Sequence, residues 1–287
     1  MIRPEGEDVM TDIVSSDRLT SGRLTAASIV GGVRRDGFAA VPGVFSSDQC
    51  RVYCDIFEQA VARQIKAGGY FGSCTTQVLY NYFLHDPQLY DLFAHPLMDE
   101  VLTESIDKDY VLISPSARNP RIRTDLPAGK KTSGEGWHVD SRVAFPETGE
   151  LYRPSLSFYS VVALEPFRAG NSATRYVPGS HLRYQRPPNR DAELDHKIWE
   201  AEPGTVIFFD AALWHRAGAP SEISRWSVFN MYGPWFMKPY FRFAENMSRD
   251  QLAALPQRVQ KLLHLHSTPP ANEALRTGTL TQHPVFD

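Results

Sequence analysis

Cysteine is scarce in this sequence. Only Cys50, Cys54 and Cys74 occur, an odd and sparse set that excludes a structural disulfide framework and fits a reducing compartment. Cys50 and Cys54 fall one helical turn apart and read as small buried hydrophobes. Long apolar runs are also missing, so no stretch is long enough to span a bilayer. The opening residues carry Glu5, Glu7 and Asp8 where a secretory leader needs basic side chains, and no apolar run follows them. A soluble, cytoplasmic protein is expected. Neither sign of charge dominates, and a net charge of -3 argues against binding of the whole protein to nucleic acid or to a membrane surface. No internal repeat is visible.

What the chain does contain is ordinary for a folded protein. Apolar residues make up 42% and charged residues 22%, enough of each for a buried core and a wetted surface. At 287 residues the chain exceeds the usual single domain, yet decorated barrels and sandwiches reach this length as one unit. We therefore expect a polar arm over residues 1–22, a single domain over 23–266 and a polar tail over 267–287. Charge is uneven within that domain. From Arg118 to Arg190 there are twelve Lys/Arg against six Asp/Glu, a basic stretch that would suit an anionic substrate or cosubstrate and that reads equally well as a solvated face.

Hydrophobic periodicity divides the chain. Leu24 to Val33 predicts a short helix, and Asp36-Gly37-Phe38 through Phe45 a brief strand closed by the Pro42-Gly43 turn. Ser46 followed by Gln49 has the form of a capping box, and Val52, Ile56, Phe57, Ala60, Val61 and Ile65 recur at helical spacing until Gly68-Gly69 stops them. Another helix is predicted over Met98 to Ile106. From Tyr110 to Tyr240 short strands alternate with Pro/Gly turns, among them Leu156 to Leu164, Thr205 to Phe209 and Arg225 to Met231. One helical stretch is expected inside this region, at Ala192 to Glu200. Helical spacing returns over Ser248 to Leu263, broken at Pro256. Helices first and strands later imply a mainly β fold, a sandwich or barrel with flanking helices.

The chemistry concentrates in Ser133-Gly134-Glu135-Gly136-Trp137-His138-Val139-Asp140 and in His215, 75 residues past Asp140. Run as a strand, the first segment sends His138 and Asp140 to one face and Val139 to the other. Two imidazoles and one carboxylate, with the other coordination positions open, are the ligand set of non-haem Fe(II) oxygenases. The same set also suits zinc with one water. Arg225 and Ser227 share a strand face, and a guanidinium beside a hydroxyl can hold a carboxylate through directional hydrogen bonds. A zinc hydrolase has no use for that pair, so a metal plus a dicarboxylate anchor is the preferred reading.

These residues carry a resemblance. Trp137-His138-Val139-Asp140, the run from Gly170-Asn171 to Val177-Pro178-Gly179-Ser180-His181, Pro203 to Asp210 with Leu213-Trp214-His215, Arg225, and the opening Asp36-Gly37-Phe38 to Phe45 are similar to the phytanoyl-CoA dioxygenase-like family of Fe(II)/2-oxoglutarate oxygenases. The resemblance implies a double-stranded β-helix, or cupin-like jelly roll, with iron held by His138, Asp140 and His215. It also implies that Arg225, helped by Ser227, grips the distal carboxylate of 2-oxoglutarate. Dioxygen would be consumed, succinate and carbon dioxide released, and an unactivated C–H bond of a small-molecule metabolite hydroxylated. Asp140 argues for oxygen chemistry, because related halogenases carry a small residue there. Desaturation, epimerisation or cyclisation with the same cofactors is one alternative. A non-catalytic, cupin-like metal- or ligand-binding protein is another, against which the complete residue set counts.

Four further residues, Tyr159, Asn171, Arg121 and Arg123, are candidates for the substrate pocket. Trp137 and Trp214 flank ligands and should face the core. His181 is assigned a structural role, His85 and His95 a capping or surface role, and His196, His264, His266 and His283 an exposed one. The segments Tyr70 to Phe83 and Arg142 to Arg153 are candidate covers of the pocket.

Overall fold

Side-chain alternation along three strands decides the architecture. The computed structural model describes residues 24–126, 128, 136–140, 144–145, 147–152 and 154–267. In chain order these form α1 (Ala26–Asp36), β1 (Phe38–Val41), α2 (Ser47–Lys66), β2 (Gln77–Tyr80), α3 (Asp91–Ala94), α4 (Pro96–Ser105), β3 (Val111–Asn119) and β4 (Phe158–Ala163). There follow β5 (Arg175–Tyr176), β6 (Lys197–Ile198), β7 (Val206–Asp210), β8 (His215–Arg216), β9 (Ser227–Gly233), α5 (Arg249–Ala253) and α6 (Gln257–Leu262). Phe158 and Val162 of β4, Val206 and Phe208 of β7, and Val228 and Tyr232 of β9 enter one core. Their neighbours Tyr159, Val161, Ile207, Phe209 and Met231 enter a second one. A period of two puts successive side chains on opposite faces, so these strands need a packed layer on each side.

The layers follow from that need. A six-stranded antiparallel sheet has the order β1-β7-β4-β9-β3-β2, and a smaller sheet has the order β6-β5-β8. The helices cover the outer face of the large sheet, where Phe57, Leu92, Phe93, Met98 and Leu102 pack against Phe208 and Tyr232. The small sheet covers the inner face, through Tyr176 and Trp199 against Phe209. This is the helix-flanked β sandwich expected from the sequence.

Local signals set the helix ends. Ser46 Oγ accepts from the Gln49 amide and Gln49 Oε1 from the Ser46 amide, the reciprocal cap expected at the start of α2. Gly68 has φ +73 at its far end, and α2 is tied to the sheet where Trp226 Nε1 donates to Glu58 Oε1 at 2.8 Å. Gly37 closes α1 at φ 88. A Cβ there would sit 2.7 Å from Leu213 and 2.8 Å from His181, so glycine is required on two counts.

Three expectations need correction. Ala192 to Glu200 is not helical; β6 lies inside it, with Trp199 N–H donating to the Thr174 carbonyl, because the short sheet claims its backbone groups. His264 is half-buried, its Nε2 2.9 Å from the Leu112 carbonyl, and is not a surface residue. His196 is likewise half-buried, edge-on to Trp137. His85 is half-buried and His95 caps α4, its Nδ1 accepting from the Leu97 amide. His181 is buried with Nε2 against the Arg34 carbonyl, a structural role as expected. Pro256 separates α5 from α6. The arm over residues 1–22, nearly all of the tail, and Ser133, Gly134, Glu135 and His283 lie outside the described residues.

Candidate active site

The two histidines meet as a cross-strand pair. His138 donates its amide to the His215 carbonyl at 3.0 Å and accepts from the His215 amide at 3.1 Å, an isolated antiparallel bridge at the edge of β8. Directly opposed residues on one face bring their side chains together, and the ring centroids lie 4.3 Å apart. Asp140 follows on the same face, its own amide bonded to the Ala211 carbonyl. The intervening face carries Trp137 and Val139, which pack with Val177 and Trp214. Both tryptophans are buried in this cluster, as expected, but Trp137 also borders the cavity that holds the ligands, whereas Trp214 does not.

Each imidazole is oriented by the same device. His138 Nδ1 lies 2.8 Å from the Gly136 carbonyl, and His215 Nδ1 lies 2.9 Å from the Leu213 carbonyl. A carbonyl can only accept, so Nδ1 carries the proton and the Nε2 lone pair is left for a cation. Asp140 Oδ1 is 3.9 Å from His138 Nε2, and Asp140 Oδ2 is 3.4 Å from His215 Nε2. The donor atoms of the three residues all lie within 4.8 Å of one another, close enough for one ion to bridge them.

Protonation suits that role. Burial alone would raise the Asp140 carboxyl, but its hydrogen bond with His215 and the positive charge of His215, His138 and Arg118 hold it well below the usual carboxylate range. Burial and the charge of His215 push His138 down to about 4, so it is neutral near pH 7. Burial also opposes a proton on His215, yet Asp140 outweighs it and raises that group. A divalent cation and a proton therefore compete for His215 Nε2. An ionised carboxylate with two Nε2 donors fits a first-row divalent metal.

Arg225 stands in the same cavity, which holds about 700 Å³ and is lined by His138, Asp140, Tyr159, His215 and Arg225 among others. It is 2% exposed and its Nε has no hydrogen-bond partner. Its Nη1 donates to Ser227 Oγ at 3.4 Å, and its guanidinium lies 4.4 Å over the Phe167 ring. Burial pushes its pKa down to about 9, with the charge of Glu165 opposing. Glu165 Oε2 is already taken by Ser224 Oγ and the Trp226 amide. Asn119 Oδ1 accepts from the Arg225 amide at 2.9 Å and so fixes its backbone. A buried guanidinium with no carboxylate ion-paired to it among the described residues fits an incoming anion.

A family model described as phytanoyl-CoA dioxygenase (PhyH) matches residues 33–226, a span that includes the triad and Arg225. The chain belongs to this family. It is a non-haem iron enzyme that uses 2-oxoglutarate and dioxygen, with a jelly-roll fold. An uncharacterised protein of Mycobacterium tuberculosis is 24% identical over 229 residues, 76% of this chain and 75% of that one. Among solved structures, the epimerase SnoN in complex with Fe3+, alpha ketoglutarate and nogalamycin RO is 19% identical with a TM-score of 0.51, covering 78% of this chain and 90% of its own. The alpha ketoglutarate-dependent carbocyclase SnoK, also from nogalamycin biosynthesis, is 17% identical with a TM-score of 0.54, covering 79% and 94%. At these identities the two structures show a common fold.

The family site does not gather every residue expected of it. Tyr159 lines the cavity, its ring stacked on Phe209 at 4.7 Å, and burial followed by the charge of Asp140 raises its phenol well above the ordinary value. Asn171 does not reach the cavity; its amide caps a turn, accepting from the Arg168 amide and donating to the Pro166 carbonyl. Arg121 is spent on the Glu222 carbonyl, and Arg123 on Glu58 and Asp125. Both lie past Pro120, the last residue of this segment to line the cavity. Sequence reading missed Arg118, which does line it. Its signal was present as a single cation two and four residues beyond Ser116 and Ser114 in a strand whose other side chains, Asn119 apart, are apolar or small. Of the two candidate covers, Thr76 and Tyr80 of the first line the cavity. In the second, Ala144 bridges to Leu151, and Phe145 stacks on Tyr152 at 4.2 Å.

Proposed function

We propose that this enzyme hydroxylates a C–H bond of a small-molecule metabolite, releasing succinate and carbon dioxide. In this reading His138, Asp140 and His215 hold Fe(II), and Arg225 with Ser227 grips the distal carboxylate of 2-oxoglutarate. The observation that carries it is the presence, in one cavity, of a convergent two-histidine, one-carboxylate set and a buried guanidinium with no ion-pair partner among the described residues. Bound iron, with 2-oxoglutarate and dioxygen, supplies the oxidising power for a C–H bond. The chain supplies the rest. Gly136 and Leu213 carbonyls keep both Nε2 atoms aimed inward, Asn119 and Phe167 hold Arg225 in place, and Tyr159 and Phe229 present an aromatic wall that limits water and fixes orientation.

Anaerobic titration with Fe(II) and 2-oxoglutarate should produce the visible charge-transfer band of the chelate. Absence of that band would sink the cofactor assignment and favour a binding protein. Once a substrate has been found by stimulated succinate formation, the product mass decides the outcome. A gained oxygen is expected; a loss of two hydrogens would indicate desaturation or ring closure, and an unchanged mass epimerisation.

A further inference from the structure

Strand β3 turns Ser114, Ser116 and Arg118 toward the cavity, one at every second position. Tyr80, paired with Ser116 in the register, and Thr76 continue this hydroxyl-rich wall beyond β3. Arg118 Nε donates to Ser116 Oγ at 3.2 Å, which directs the guanidinium along the wall. No carboxylate among the described residues forms an ion pair with it. It lines the same cavity as His138, Asp140, His215 and Arg225.

The charge of the whole cavity is lopsided. Arg118, Arg186, Arg190 and Arg225 line it, and Asp140 is the lone carboxylate among the described lining residues. In the reading above, Asp140 is committed to metal and Arg225 to 2-oxoglutarate. Arg186 and Arg190 are exposed at the rim, where they can attract an anion but hold it weakly. Arg118 is partly withdrawn from water, where a guanidinium without a counter-ion is costly and a bidentate oxyanion is its natural complement. We propose that Arg118 is the substrate-binding cation, and that the substrate carries an oxyanion, a carboxylate or a phosphoryl group, bound against the Ser114, Ser116 and Tyr80 wall. The inference rests on the cofactor reading in one respect, that Arg225 is occupied by 2-oxoglutarate.

The test is calorimetric titration, under anaerobic conditions, of the full chain loaded with Fe(II) and saturating 2-oxoglutarate. The probes are methyl phosphate and acetate, and the proteins are the wild type, Arg118→Gln, Arg118→Lys and Arg225→Gln. At least one probe should bind the wild type, and the tighter one indicates a phosphoryl or a carboxylate substrate. Arg118→Gln should weaken it by about 10-fold or more, as expected for loss of a charge-assisted pair, with Arg118→Lys between the two. The affinity for 2-oxoglutarate, read from the chelate band, should fall far more in Arg225→Gln than in Arg118→Gln. The proposal is overturned if neither probe binds the wild type, or if Arg118→Gln binds it equally well. It also falls if Arg118→Gln loses 2-oxoglutarate as severely as Arg225→Gln, which would assign Arg118 to the cosubstrate. Equal melting temperatures establish that the variants are folded, and Arg118→Lys decides should the glutamine variant unfold. If no chelate band forms in the wild type, the cofactor reading fails, while the heat of anion binding still decides the role of Arg118.

Discussion

At the scale of single residues, the site depends on side chains whose reach is set by their own backbone. His138 and His215 each lean on the carbonyl two residues before them, so tautomer and ring direction are decided within a tripeptide. Replacing either by alanine should abolish Fe(II) binding in an anaerobic titration and eliminate 2-oxoglutarate turnover, since two remaining ligands hold a cation poorly. Arg225→Ala should act differently. Loss of charge-assisted hydrogen bonds costs roughly 1.5–3 kcal/mol, so the 2-oxoglutarate requirement should rise about 10- to 100-fold while iron still binds. An unchanged requirement would remove Arg225 from the cosubstrate site. Spacing made these residues legible, because a separation of two puts His138 with Asp140 and Arg225 with Ser227 on one face in any extended chain. Asn171, Arg121 and Arg123 were not legible in the same way. Their bonds go to neighbouring backbone and to Glu58 and Asp125, and those partners appear only once the chain is folded.

At the scale of elements, local signals and tertiary claims compete. The start of α2 was readable, since a capping box acts within four residues and needs no other part of the molecule. Ser46→Ala should cost about 1 kcal/mol, measured as a lower urea midpoint with unchanged m-value, and Ser46→Asn should restore most of it. Gly204 is decided from outside its own turn. It holds φ +84, and a Cβ there would stand 1.9 Å from the Phe45 carbonyl oxygen, while Val44 and Phe45 amides both donate to its own carbonyl. Gly204→Ala should therefore destabilise by more than about 1 kcal/mol, whereas Gly31→Ala in α1, where nothing lies within 4 Å, should stabilise by about 0.4–1 kcal/mol. The segment Ala192–Glu200 shows the reverse outcome. Its spacing permits a helix, but pairing of Arg175 and Tyr176 with Ile198 and Lys197 holds it extended.

At the scale of the whole molecule, stability and chemistry are carried by different layers. Phe208 lies in the core between the large sheet and the helices, on the opposite face from Phe209 and the metal ligands. Phe208→Ala should cost about 3–5 kcal/mol by the cavity it opens, seen in urea unfolding. Chelation of the metal should lower the melting temperature by only the binding linkage and leave the far-ultraviolet circular dichroism intact. Loss of that signal on chelation would mean that the metal, and not the sandwich, holds the two sheets together.

The amino-acid order by itself determined which residues share a strand face, where α2 begins, and that two histidines, an aspartate and an arginine of the right kinds were available, because these follow from backbone geometry over a few residues. Only the tertiary structure decided that His138 and His215 are cross-strand neighbours, that Arg118 faces the cavity while Arg121 and Arg123 turn away, and that Arg225 is buried with no ion-pair partner among the described residues. Those outcomes depend on sheet order and on which charges are consumed by distant partners, and neither is encoded at a spacing that can be read along the chain.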